Sequence, residues 1–286
     1  MAGIVFLSVI GTIMIVSLVF GIAGATENFY LSVLASVVMY LAFIGLYLLF
    51  RRFVKTEKHY PIKKPSVHDV VVIIVLGLVC IASFLLLQNA VIEFFVWIGY
   101  TEPEGVFDIN RIHRYLISIV TVGVLPSIVE ELLFRGLILH ALLPFGKWKA
   151  VLISSALFSL FHLSPAQTVY QFIFGIVLAL VYLRTKNMLV PMLLHFVNNF
   201  AIITVIYFGG GDTEFAFNAY TIITLIVLAL VGSFVILNLV KSTRYREGEY
   251  PKPRKMQAHD TMSLVLGVVL AIAIWVSMFL VGGNGG

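Results

Sequence analysis

The sequence has little charge. Only 12% of its 286 residues are Asp, Glu, Lys or Arg, 60% are hydrophobic, and the mean hydropathy is +1.05. A water-soluble domain carries about twice that share of charge, so soluble fold classes are excluded and the chain reads as a membrane protein. Cysteine is almost absent. With Cys80 alone, neither a disulfide framework nor a Cys-based metal centre can form within one chain; Cys80 reads as a small buried apolar residue. The first residues, MAGIVFLSVIGTIMIVSLVFGIAG, lack the basic start and the small-residue cleavage pattern of a signal peptide and read as a retained first span. No internal repeat and no low-complexity tract is present. The net charge of +5 is placed to face an anionic membrane surface and does not indicate nucleic-acid binding.

A spanning helix needs about 20 apolar residues. Nine segments are candidates: 2–22, 29–50, 69–98, 113–142, 150–163, 167–184, 188–208, 217–240 and 262–282. The expected fold is all-α, a polytopic transmembrane helix bundle of about 8–9 spans. The segment 150–163 is short and 167–184 marginal, and LSPAQ at 163–167 could make the two one broken hairpin. Segments 69–98 and 113–142 are long enough to tilt or protrude. Sixteen of the nineteen basic residues fall in loop 51–68, the turns near 143–149 and 184–186, and the linker 241–257. These lie on one side if the spans alternate. The positive-inside rule makes that side cytoplasmic, with the N-terminus inside and the C-terminus outside. Three regions follow: 1–112, three spans with the basic loop 51–68; 113–208, the polar core; and 209–286, the remaining spans with the basic linker 241–257.

Against this background a few polar residues stand deep in the spans. SIVEELLFRG (127–136) holds Glu130, Glu131 and Arg135, the one basic residue placed deep in a span. LFSLFHLS carries His162, and PMLLHFVNNF carries His195 and Asn199. Ionisable groups in spans face a bundle interior or a wet cavity and are functional candidates by default. Counted along the helices from the cytoplasmic ends, Glu130 and His162 both lie about 18 Å deep and His195 about 10 Å deep. If the three helices pack together, these groups converge on a cavity open to the cytoplasm.

Spacing divides their roles. Glu131 and Arg135 are four apart, share a helix face and can neutralise each other. Glu130 is turned about 100° away and has no partner on its own helix. His195 and Asn199 are also four apart. Pro126 and Pro191 each precede a polar residue, Glu130 and His195, by four positions. Pro126 should open its helix just above the carboxylates, whereas Pro191 fits a helix start.

EELLFR (130–135), FSLFH (158–162) and HFVNN (195–199) fit, in order and on separate spans, the three motifs EExxxR, FxxxH and His followed four residues later by Asn. The chain resembles the CPBP family of intramembrane proteases, which includes CAAX-type prenyl-protein endopeptidases and bacteriocin-processing or self-immunity proteins. The resemblance covers about residues 113–208. It implies peptide-bond hydrolysis in or beside the membrane. Glu130 would be the general base, with His162 holding the attacked water, and His195 and Asn199 would stabilise the oxyanion. Glu131 and Arg135 would orient Glu130, and Phe158 would pack by the water pocket against bound substrate. The partners implied are a membrane-associated or lipidated peptide and the lipid bilayer, in the cell membrane. The expected mechanism needs no cofactor, because a zincin carries both His ligands and its Glu on one helix and here the two histidines lie on different spans. The alternative is zinc held by Glu130, His162 and His195.

Other readings compete. A Glu–Arg pair can be helix glue, and His or Asn in a span can be an interhelical hydrogen-bonder. His140 reads as interfacial, and Gln171 could border the cavity. At the level of function the alternatives are a proton- or ion-coupled transporter using the Glu/His cluster and a non-catalytic peptide-binding immunity protein. A transporter should spread charge along a path and often shows repeated halves; neither is visible.

Overall fold

The computed structural model describes residues 1–24, 28–54, 61–100, 109–209, 234 and 255–283. Every regular element among them is helical. We number them α1 (Ala2–Ile22), α2 (Phe29–Phe50), α3 (Val67–Trp97), α4 (Ile112–Phe145), α5 (Lys147–Phe161), α6 (Thr168–Thr185), α7 (Leu189–Phe208) and α8 (Ala258–Gly283). Six stretches are long and apolar enough to cross a bilayer: α1, α2, α4, α6, α7 and Ala258–Leu280 of α8. The all-α, multi-pass architecture expected from composition is therefore present. The expected span at 217–240 and most of the linker 241–257 lie outside the described residues.

Local chemistry sets the helix ends. Asn28 caps α2 by accepting from the backbone N–H of Tyr30 and Leu31, and Ser66 and Asp69 form a reciprocal capping box on α3. Each satisfies donors that the first turn leaves unpaired. The last turn of α6 carries Arg184, and Lys186 closes it in the left-handed region at φ 51°. The next residue, Asn187, clasps the loop segment beside it, accepting from Lys63 N–H and donating to the Lys63 carbonyl.

α4 is the centre of the bundle, touched by α1, α2, α5, α6 and α7. About half of the apolar stretch of α4 and of α6 is buried, against 11% for α2 and 17% for α8. The two inner helices form the core, and the outer ones turn Leu, Ile and Val outward, toward lipid in a membrane. α1 and α8 run parallel. A Cβ on Gly3 would meet the backbone of Ser263 and Leu264, and one on Gly267 would meet the Phe6 ring at 2.9 Å, so positions advance together along both helices. Small residues let the backbones approach, the main source of helix association in lipid.

The pairing of α5 with α6 is equally close and bears on the site. A Cβ on Gly175 would lie 3.1 Å from Ser155 Cα and 3.3 Å from the Phe158 ring. Gly175→Ala is expected to push α5 off α6 and cost about 1–3 kcal/mol by overpacking. A thermal midpoint equal to that of the wild type would show that the contact has slack.

α4 is not a uniform α-helix. Ile119–Val124 and Leu132–Leu139 are π-helical, and between them Leu125–Glu131 is α-helical with Pro126 in its first turn. Proline has no N–H to give the carbonyl four residues back. That carbonyl is Val122's, and the Asn199 side chain donates to it from α7 at 3.0 Å. The opening expected above the carboxylates is thus made by wider helical turns and bridged from the neighbouring helix. π-turns of this kind recur at functional sites.

Candidate active site

Four charged or ionisable side chains meet where α4 faces α7. Glu130, Glu131, Arg135 and His195 are each at most 3% exposed. Arg135 Nη1 donates to Glu131 Oε1 at 2.8 Å. His195 Nδ1 bonds to the same oxygen at 3.0 Å; a carboxylate oxygen accepts only, so the imidazole is the donor there. His195 Nε2 points the other way and stands 3.9 Å from Glu130 Oε2. The imidazole of α7 thus lies between two consecutive carboxylates of α4, bonded to one and near the other.

Arg135 ties a third helix in. Its Nη2 donates to the Gly175 carbonyl of α6 at 3.1 Å, and its guanidinium lies over the Phe158 ring at 4.6 Å. One side chain thereby answers a carboxylate, a backbone carbonyl and an aromatic face. A buried cation needs that many partners to offset its desolvation.

Phe158 is fully buried. Edge-on contacts join its ring to Phe134, His162 and His195 at centroid distances of 5.1, 4.9 and 5.9 Å. The sequence reading made Phe158 a pocket-lining, substrate-contacting residue. In the structure Phe158 is enclosed, and it stands behind the two imidazoles as their common packing surface.

His162 sits just past the end of α5. At 15 residues and 1.5 Å each, α5 spans about 22 Å and falls short of a bilayer core of about 30 Å. The ring therefore ends up at depth and remains partly open. His162 Nδ1 lies 2.9 Å from the Phe158 carbonyl, which can only accept, so Nδ1 carries hydrogen and Nε2 is the nitrogen that can accept when the ring is neutral. The next residue, Leu163, has φ +53°, uncommon for a bulky side chain. Ser159 Oγ bonds to the Thr168 carbonyl at 2.6 Å, and Trp275 Nε1 of α8 to Thr168 Oγ1 at 2.7 Å. Together these fix the turn that carries His162.

Asn199 spends its amide on Val122, as described above. Its neighbour Asn198 is the more buried of the two. Tyr170 OH of α6 donates to Asn198 Oδ1 at 2.5 Å, and Asn198 Nδ2 reaches Asn199 Oδ1 at 3.4 Å. A chain of amides therefore runs from α6 through α7 to the proline break in α4. Asn198 and Asn199 thus act in series.

Two other placements differ from expectation. His140 is buried, not interfacial, because the π-turn brings its Nδ1 to the Arg135 carbonyl at 2.7 Å. Tyr40 of α2, which the motifs do not point to, donates its hydroxyl to Glu130 Oε1 at 3.1 Å. A cavity of about 350 Å³ lies at the His140 end of α4, lined by Phe53, Leu142, Phe145, Met256 and Asp260 among others; none of the predicted site residues lines it. Among the described residues no three His, Cys, Asp or Glu side chains are grouped as a metal site.

Apolar helices closed around a buried carboxylate–imidazole cluster define a multi-pass membrane protein with a polar centre of the kind a membrane-embedded hydrolase requires. Residues 112–201 match the family model described as Type II CAAX prenyl endopeptidase Rce1-like, and over this segment the chain is similar to that protease family. The match takes in Glu130, Glu131, Arg135, Phe158, His162, His195 and Asn199 and covers a little under a third of the chain. No curated protein and no solved structure matches the chain.

Proposed function

We propose that this protein is an integral membrane endopeptidase of the cell membrane. It hydrolyses a peptide bond in a membrane-associated or lipidated peptide, of the prenylated CAAX type, using water activated by Glu130. One observation carries the reading. Glu130 is buried, one of its oxygens is fixed by Tyr40, and the other, Oε2, has no hydrogen-bond partner among the described residues and lies 3.9 Å from an imidazole nitrogen. A buried carboxylate oxygen without a partner is costly, and a general base is a group that has use for one.

In this reading Glu130 Oε2 takes a proton from water as the water oxygen attacks the scissile carbonyl carbon. The same proton then passes to the leaving amine, so the carboxylate is restored. His162 Nε2 accepts the second hydrogen of the water and orients it. His195 takes part in this reading with hydrogen on both nitrogens. Nδ1–H then stays on Glu131 and Nε2–H is offered to the developing oxyanion. Asn199 is the second donor, at the cost of exchanging its bond to the Val122 carbonyl. Glu131 and Arg135 hold His195 and the α4–α6 contact in place. The route needs no metal; the zinc trio Glu130, His162 and His195 is the competing assignment.

The test uses the full-length protein in lipid nanodiscs and a fluorescence-quenched peptide ending in a farnesylated CAAX sequence. His162→Ala is expected to lower cleavage by about 100-fold or more with the thermal midpoint held. Dialysis against a chelator is expected to leave the wild-type rate unchanged. Wild-type turnover by His162→Ala would end the reading, and activity lost to the chelator and restored by zinc would move it to the metal assignment.

A further inference from the structure

Glu130 is held from a helix that lies outside the matched segment. Tyr40 stands in the middle of α2, is 8% exposed, and directs its hydroxyl at Glu130 Oε1. The ring's own position is fixed by an aromatic row. Tyr40 meets Phe43 edge-on at 6.0 Å, and Phe43, fully buried, meets Phe161 at 5.8 Å. Phe161 is the last residue of α5 and precedes His162, whose ring it touches at 5.3 Å. α2 therefore braces both halves of the site, the carboxylate directly and the imidazole through two phenyl rings.

We propose that Tyr40 is a positioning residue for the reaction: its hydroxyl fixes Glu130 Oε1 so that Oε2 alone is left to work on water. The inference rests on Glu130 acting as base. Without a fixed oxygen a carboxylate on three rotatable side-chain bonds can swing either oxygen toward His195 Nε2 and form a closed ion pair. That pair would remove the base and occupy the imidazole at once. A phenol that donates to one oxygen resists this rotation, because the bond exists in one orientation of the carboxylate plane. Among the described residues the hydroxyl bonds to Glu130 and not to His195, Arg135 or Glu131, so its effect passes through Glu130.

The consequence is a split between turnover and binding. Tyr40→Phe keeps the ring and its packing row and removes the hydroxyl alone. In nanodiscs with the farnesylated CAAX peptide, Tyr40→Phe is expected to lower kcat by about 10- to 100-fold, the scale of a misplaced catalytic group, with KM within about twofold of the wild type. A kcat within twofold of the wild type, or equal changes in kcat and KM, would overturn the proposal. Glu130→Gln, run alongside, separates the two readings. If it is inactive while Tyr40→Phe is normal, the Tyr40 proposal alone fails; if it cleaves normally, both fail. A second measurement needs no substrate. Thermal midpoints of Tyr40→Phe, Glu130→Ala and the double variant form a cycle whose single losses are expected not to add, by about 2 °C or more. Additive losses would show that hydroxyl and carboxylate do not hold one another.

Discussion

Glu130→Gln is expected to abolish peptide cleavage without unfolding the protein. The amide has the shape of the carboxylate and keeps a carbonyl oxygen to accept from Tyr40, so the one hydrogen bond that Glu130 makes among the described residues survives. What is lost is the ability to take a proton, and a positioned general base is worth about 10² to 10⁴ in rate. Stability should hold or rise, because an unpaired oxygen next to a second carboxylate is replaced by a neutral group. Initial rates and thermal midpoints on the same nanodisc preparation check both halves. A rate within threefold of the wild type would remove Glu130 from the chemistry. Glu130→Asp refines the result. It keeps the charge but withdraws the carboxylate by one methylene, and a residual rate about 10- to 100-fold below the wild type is expected. Full activity in that variant would mean that position matters less than charge.

The parts of this arrangement that the sequence disclosed are those set by local spacing. Glu131 and Arg135 are one helical turn apart, and the structure bonds them. The offset of Glu130 by one residue separates it from that pair on any helix. The class of fold followed from hydropathy, because only helices or closed barrels satisfy the backbone in hydrocarbon. Contacts between helices were harder to see. Tyr40 lies 90 residues from Glu130, and no pattern within α2 marks the side it presents. Depth did carry a signal: Tyr40 is ten residues from the C-terminal end of α2 and Glu130 twelve from that of the predicted span 113–142, so extending the depth count to tyrosines would have paired them. Pro126 carried another. Its missing N–H implicates the carbonyl of Val122 by simple subtraction, but the partner, Asn199, belongs to a different helix. The π-turns of α4 were illegible, because nothing in an apolar stretch distinguishes five-residue from four-residue bonding. They are the reason that His140 reaches back to Arg135 and ends buried.

Arg135→Met is expected to be the most destabilising single change in the site. Removing the guanidinium leaves Glu131 Oε1 with His195 as its only hydrogen-bond donor among the described residues, takes the side-chain donor from the Gly175 carbonyl and bares the face of Phe158. Breaking a buried ion pair from one side costs about 3–5 kcal/mol, because the charge left behind stays desolvated. The double variant Glu131→Leu with Arg135→Met should recover part of that loss, since an apolar pair of similar size avoids the desolvation of both ions. Recovery is not expected to be complete: His195 Nδ1 then loses its acceptor, and an unpaired buried donor costs about 1–3 kcal/mol. Turnover should not return with stability. With Nδ1 unanchored, nothing on α4 fixes which way the imidazole faces, and a site displaced by about 1 Å can lose about 100-fold. Thermal midpoints read the first effect and cleavage of the farnesylated peptide reads the second. If Arg135→Met melts with the wild type, the pair does not hold the helices together. If the double variant is stable and active, the orientation of His195 is set by its aromatic neighbours Phe158 and Phe174, which flank the ring at 5.9 and 5.5 Å, and Glu131 is dispensable to the chemistry.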